Sequence, residues 1–355
     1  MSDVVRDAVI LAAPEDASMR VAGVPLLVRT ILILQKAGIE RVHVAGPVSA
    51  PVDARIRIPL GGAPPPDATH LVIGAGTVVD QAVVRAATAV PDPVCWEWEG
   101  ARIERRPTAQ PCHATSPPVG TLLPVSAARS TVEQALLRGL ENPHDGYLDR
   151  LIHRRLSRVL TPFLLRTRLT PNHVTVIGVL IGIVGGVLLG APSTMGVAAG
   201  VAALVLSGVL DCSDGEIARI TFTESRLGHL LDITGDTLVH AALLAGIAMQ
   251  LGRSAAWPST ATLVLLGIGV VGSFAAITWS EQTEARRLRV PDAWENRVLD
   301  GVLSPLTTRD WYVFPIAFAL AGRLDALVPA AAWGAQAFWI AVVVLVWRVL
   351  GRAAG

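Results

Sequence analysis

From Val174 onward the charged residues of this 355-residue chain are almost confined to short clusters, and the stretches between them are apolar over membrane-spanning lengths. A bilayer holds no water to satisfy backbone N–H and C=O groups, so such stretches fold as helices. Six candidate spans follow, at about 174–190, 195–212, 228–250, 259–279, 311–325 and 330–350, the fifth being the shortest. Composition agrees: 52% of residues are hydrophobic and 17% charged, whereas residues 1 to about 170 read as ordinary soluble sequence.

The second and third spans carry costly residues. Asp211, Asp214, Asp232 and Asp236 lie within DCSDGEIARITFTESRLGHLLDITGD at 211–236, and ionisable groups at membrane depth are by default functional. On a helix Asp211 and Asp214 are i,i+3 neighbours, and Gly228, Asp232 and Asp236 follow one another at four-residue steps. Two helices packed at these ends would converge four carboxylates. Oxygen ligands without Cys or His suit magnesium, manganese or calcium rather than zinc. Gly215, Ala218 and Gly228 leave room on the acidic faces, and Arg219 stands beside them to pair with a phosphate. Carboxylates, divalent metal and arginine together are the equipment for phosphoryl or phosphodiester chemistry. A cation or proton transporter using the same acids is the alternative of another class.

The positions Asp211, Asp214, Gly215, Ala218, Arg219, Gly228, Asp232 and Asp236 resemble the signature of the CDP-alcohol phosphotransferases, also called CDP-alcohol phosphatidyltransferases. LTPNHVT at 169–175 is similar to the Pro-Asn-x-x-Thr element that opens the first transmembrane helix of that family. The resemblance covers about 150–350 and implies a reaction in which an acceptor hydroxyl attacks the β-phosphorus of a CDP-linked alcohol and CMP leaves. By position it implies that Asp211, Asp214, Asp232 and Asp236 hold two divalent metals, Mg2+ or Mn2+, with Asp236 also the general base. It implies nucleotide contacts from Asn172, Thr175, Asp211, Gly215, Ala218, Arg219, Ser225 and Gly228, and a homodimer.

Arginines set the expected orientation. Arg150 to Arg168, Arg219, Arg226, Arg286, Arg287, Arg289, Arg297, Arg309, Arg348 and Arg352 flank one side of the six spans, and the opposite loops hold Arg253 and Arg323. By the positive-inside rule the first side is cytoplasmic, which places the N-terminal domain, the acids and both termini there, at a cell (inner) membrane. Arg150 to Arg168 holds six arginines and no acid among Leu, Ile, Val and Phe, the pattern of an amphipathic helix on an anionic membrane surface. Arg286, Arg287 and Arg289 in EQTEARRLRV are candidates to bind an acceptor phosphate, or equally are topological charge.

Net charge of +1 argues against a nucleic-acid partner, and Lys36 is the only lysine, so nearly all positive charge is arginine. Cys95, Cys112 and Cys212 suggest no disulfide framework or zinc site, and MSDVVRDAVILAA is not expected to be a signal peptide.

Ahead of the spans, apolar Ala8–Ala13, helix-spaced Pro25–Ala37 with a Gly38 stop, and Arg41–Ala45 make a β-α-β opening. His70–Ile73 gives another strand, a helix-like stretch follows near Val79–Ala89, and Ser126–Leu140 is helical. The opening resembles a sugar-phosphate nucleotidyltransferase, where a Gly-rich loop cradles nucleotide phosphates. Here Pro14–Met19 replaces that loop, Val24 stands where the family has lysine, and Asp80 is the one candidate for its metal-binding acid. An inactive relic is expected. The fusion resembles archaeal-type bifunctional enzymes that make CDP-inositol in the soluble half and join it to inositol phosphate in the membrane half, which is the alternative enzyme reading. The expected organisation is a Rossmann-like α/β domain at 1–125, a linker and juxtamembrane helix at 126–170, and an all-α domain of six transmembrane helices at 171–355. The partners expected are a CDP-alcohol donor, a hydroxyl acceptor and the lipid bilayer.

Overall fold

The computed structural model describes residues 5–61, 69–89, 95–106, 117–140, 149–253, 257–282, 294, 298 and 313–353. The chain divides into two compact units. One comprises 1–141, 160–169 and 215–224, and the other comprises 142–159, 170–214 and 225–355.

The first unit is α/β. In chain order it contains β1 (Asp7–Leu11), β2 (Arg20–Val21), β3 (Val24–Pro25), α1 (Leu26–Ala37), β4 (Arg41–Ala45), β5 (His70–Ile73) and β6 (Thr77–Val79). α2 (Gln81–Ala89), β7 (Cys95–Trp98), β8 (Ala101–Arg106), β9 (Leu122–Pro124) and α3 (Arg129–Arg138) follow. The main sheet has the order β4-β1-β5-β8-β7. β1 lies between β4 and β5 and is parallel to both, with Val9 opposite His43 and Val72, and β8 runs antiparallel to β5 and β7. Gly38 ends α1 at φ +98, the left-handed geometry that glycine adopts without a Cβ clash. Ile31, Leu34, Leu71, Ile73 and Ile103 are all but completely buried between helix and sheet.

α3 was expected to open a linker. Its residues Val132, Leu136 and Leu137 pack with Val21, Leu26 and Val78, so α3's apolar face meets β2, α1 and β6. Asp80 caps α2: its carboxylate accepts from Val83 N–H at 3.0 Å and Thr121 N–H at 2.7 Å. Cys95 is disulfide-bonded and Cys212 is free and buried, which corrects the reading of no disulfide on the first of these.

The second unit is helical. A π-helical turn at Asp149–His153 runs into α4 (Arg154–Leu164), followed by α5 (Pro171–Leu188), α6 (Thr194–Thr221), α7 (Arg226–Arg253), α8 (Thr260–Gln282), α9 (Val313–Leu320) and α10 (Leu324–Ala353). α4 and α6 each continue into the first unit. Five helices, α5, α6, α7, α8 and α10, are long and apolar enough to cross a membrane among the described residues. For the span expected at 311–325 they give α9, whose eight residues reach about 12 Å at 1.5 Å per residue, short of a bilayer core of roughly 30 Å.

The π-helical turn and α4 together are amphipathic in an unusual sense. Leu151, Leu156, Val159 and Phe163 are exposed, whereas His153, Arg154, Ser157 and Thr161 are buried. α5 lies along α7, and α8 along α10.

Candidate functional site

α5 starts where a cap forces it to. Thr170 accepts from the His173 N–H, the His173 ring nitrogen accepts from the Thr170 N–H, and Pro171 occupies the first turn, where a missing N–H costs nothing. From there α5 turns Val174, Thr175, Gly178, Gly182, Gly185 and Gly186 inward. These glycines are required by close approach. A β-carbon at Gly186 would stand 2.6 Å from the Leu243 backbone nitrogen, and one at Gly185 would stand 2.9 Å from that of Leu204. On α7, a β-carbon at Gly246 would stand 2.0 Å from the Gly186 carbonyl oxygen. Three helices therefore meet backbone to backbone, the packing small residues permit in lipid.

That packing brings the acids together. Carboxylate oxygens of Asp211 on α6 and of Asp232 and Asp236 on α7 lie within 4.8 Å of one another, each residue half-buried. Asp214, 8% exposed, accepts a hydrogen bond from Thr175 Oγ1, which also reaches the Pro171 carbonyl at 3.1 Å. Beside them opens a small cleft lined by Thr175, Gly178, Ser207, Gly208, Asp211 and Asp236. Hard oxygen donors converging at this spacing fit a divalent cation such as Mg2+ or Mn2+.

The other expected nucleotide contacts fall into two groups. Asn172, Ser225 and Gly228 adjoin: a β-carbon at Gly228 would lie 3.2 Å from Asn172 Oδ1 and 3.3 Å from Ser225 Oγ. Ser225 also caps α7 by accepting from Gly228 N–H at 3.0 Å. In the first unit, the Arg219 guanidinium folds back over Gly215, where a β-carbon would be 3.1 Å from both terminal nitrogens, and Ala218 is half-buried on the same helix. Arg219 Nε is buried and makes no hydrogen bond among the described residues. Arg286, Arg287 and Arg289 lie outside the described residues.

Some residues at the site escaped sequence reasoning. Glu216, inside the signature, is 1% exposed and accepts from Thr161 Oγ1 at 2.7 Å, tying α4 to the end of α6. The His153 ring lies 2.7 Å from where a Gly208 β-carbon would be, so Gly208 makes room for it. Ser207 and Gly208 sit one turn before Asp211, and that spacing is the signal that would have found them.

Membrane-length helices packed through glycines around converging carboxylates define a polytopic integral membrane protein with an acidic site. The chain belongs to the CDP-alcohol phosphatidyltransferase family, whose pattern its residues 168–347 match. It is similar to the bifunctional IPC transferase and DIPP synthase of Thermococcus kodakarensis, at 31% identity over 154 residues, which is 41% of this chain and 34% of that protein. The protein of the same description from Aquifex aeolicus is 29% identical over 130 residues, 37% of this chain and 28% of the other. The chain thus aligns over about a third of the length of these curated relatives.

Proposed function

We propose that the chain is a divalent-metal-dependent CDP-alcohol phosphotransferase. The acceptor hydroxyl oxygen bonds to the phosphorus that carries the alcohol of the CDP-alcohol, the bond from that phosphorus to CMP breaks, and CMP leaves. The observation that carries this reading is the convergence of Asp211, Asp232 and Asp236 within a matched family region. Together with Asp214 these residues would hold two divalent ions, Mg2+ or Mn2+, which supply charge neutralisation to the pyrophosphate. Asp236 takes the proton of the attacking hydroxyl, the role its place beside the cleft allows. Thr175 orients the Asp214 carboxylate through its hydroxyl. Arg219 supplies a guanidinium to phosphate oxygens, and Asn172, Ser225 and Gly228, which adjoin one another, contact the CDP moiety.

The same reading takes 1–125 as an inactive nucleotidyltransferase-like, Rossmann-like relic, 126–170 as linker and juxtamembrane helix, and 171–355 as the transferase domain with six transmembrane helices. Both oxygens of Asp80 accept backbone N–H groups, which supports a structural rather than a metal-binding role. The α/β domain, the acids and both termini face the cytoplasm of a cell (inner) membrane, and the protein is a homodimer. Arg286, Arg287 and Arg289 bind an acceptor phosphate. The resemblance of the fusion to enzymes that make and use CDP-inositol favours an inositol-type donor and acceptor.

A CMP-release screen tests this. Purified full-length protein is given Mg2+ or Mn2+ with a matrix of CDP-diacylglycerol or CDP-inositol donors and glycerol phosphate or inositol phosphate acceptors. Metal-dependent CMP release in at least one pairing is expected. None in any pairing, with cation flux in vesicles instead, would support a transporter. CTP turnover by the full chain would overturn the relic reading.

A further inference from the structure

The unit built on the sheet takes residues 215–224, the carboxyl end of α6, into itself. α6 ends there in a Schellman motif: Thr223 N–H donates to the Ala218 carbonyl at 2.9 Å and Phe222 N–H to the Arg219 carbonyl at 3.4 Å. The residue this ending places in the left-handed region is usually glycine. Here it is Phe222 at φ +56, which costs a bulky residue about 1–2 kcal/mol.

What the ring meets offsets that cost. Phe222 packs on Val24, Val28 and Leu32, with Arg29 Cζ 5.3 Å and Lys36 Nζ 5.2 Å from the ring centroid. The arginines also hold the helix end itself. Arg29 Nη1 donates to the Ile220 carbonyl at 2.8 Å, and Arg55 Nη1 to the Thr221 carbonyl at 2.7 Å. These carbonyls belong to the last turn, which has no further helical N–H groups to accept from and carries the negative end of the helix dipole. Arg55 is in turn held by Asp53 at 2.6 Å, and Lys36 pairs with Glu224. Burial lowers the Arg29 guanidinium to about 10, so it remains a cation at neutral pH. Five contacts, from Arg29, Lys36 and Arg55, thus converge on Ile220, Thr221, Phe222 and Glu224.

We propose that the α/β unit is a positioning clamp for the donor half of the transferase site: Arg29, Lys36 and Arg55 grip Phe222 and the last carbonyls of α6, and thereby set the placement of Ala218 and Arg219. The proposal rests on the transferase reading above. It gives a domain whose own phosphate loop has lost its charge a present task, and it makes Phe222 a positioning residue.

The test is Phe222→Gly in the full-length protein. Glycine is the residue the left-handed position prefers, so the helix ending survives and only the ring is lost. The KM for the CDP-alcohol should rise about fivefold to thirtyfold, the factor that one or two kcal/mol supplies, with acceptor KM and thermal midpoint unchanged. Phe222→Tyr, which keeps the ring, should restore the donor KM. Amide exchange over residues 218–226 gives an arm independent of turnover, and faster exchange in Phe222→Gly is expected. Unchanged donor KM overturns the clamp, whether or not the thermal midpoint falls, and so does unchanged exchange. Should the unaltered protein release no CMP from any donor, the transferase reading fails and exchange alone decides whether the clamp exists.

Discussion

In the α/β unit, α1 meets the sheet through Leu27, Ile31 and Leu34, whereas in the helical unit α5 meets α7 through Gly182 and Gly186. The solvents explain the contrast. A domain in water gains by removing side-chain area from it, so a helix facing a sheet presents large apolar residues. Lipid tails are as apolar as leucine, so helices within them gain from close backbone contact, and glycine provides that. The lesson concerns precision: carboxylates on backbone-contacting helices are placed with little slack, while the α/β unit tolerates side-chain repacking behind its sheet.

Five substitutions would break or sharpen this contrast. The largest effect is expected at the acids: Asp236→Asn should lower CMP release by about 10²–10⁴-fold while elution volume and thermal midpoint stay as they were. Retained turnover would remove Asp236 from its proposed role. Next comes the core of the α/β unit, where Ile31→Ala should cost that unit about 2–5 kcal/mol, read by denaturant titration followed at its tryptophans, Trp96 and Trp98. A loss of donor affinity in step with that unfolding would tie the two units functionally.

Gly246→Ala should cost about 1–3 kcal/mol, because its new carbon must push aside the Gly186 carbonyl rather than a side chain. Gly267→Ala on α8, which meets nothing within 4 Å, is the control and should be silent in both thermal midpoint and turnover. If both variants behave alike, backbone contact is not what sets the helical unit. The smallest effect is electrostatic. Arg55 holds the Asp53 carboxyl at about 2, first through their side-chain hydrogen bond, against an ordinary 3.8. A depressed folded value contributes stability above pH 3.8 that is lost as pH falls towards about 2. For a partly exposed pair this amounts to at most about 1 kcal/mol, and Asp53→Asn should flatten the stability profile between those pH values. An unaltered profile would show that Arg55 gains nothing from Asp53 when it caps α6.

Local pattern carried much of the fold. Arg41–Ala45 and His70–Ile73 are strands over the residues expected, and the Gly38 stop is a left-handed cap. The hairpin of β7 and β8 was not legible, because CWEW and ARIERR mix aromatic, acidic and basic residues with no one apolar face. At the site, helical spacing predicts that Asp211, Asp214, Asp232 and Asp236 converge from two helices; the structure groups Asp211, Asp232 and Asp236 and turns Asp214 to the Thr175 hydroxyl. The bond from Thr175 to Asp214 joins residues 39 positions apart, and the one from Arg29 to Ile220 joins residues 191 apart, so no window on the sequence contains either.

What the sequence by itself determined is whatever follows from helical periodicity and solvent: membrane-length helices, acids grouped by turns of one helix, and a signature specific enough to identify the family. Tertiary structure alone decided which faces meet. It placed Gly186 against Gly246, turned Asp214 towards Thr175, and set Phe222 between two cations in a conformation its own sequence disfavours. The physical reason is that local propensities are worth tenths of a kcal/mol per residue, whereas a packed contact across the fold is worth one or more and can override them.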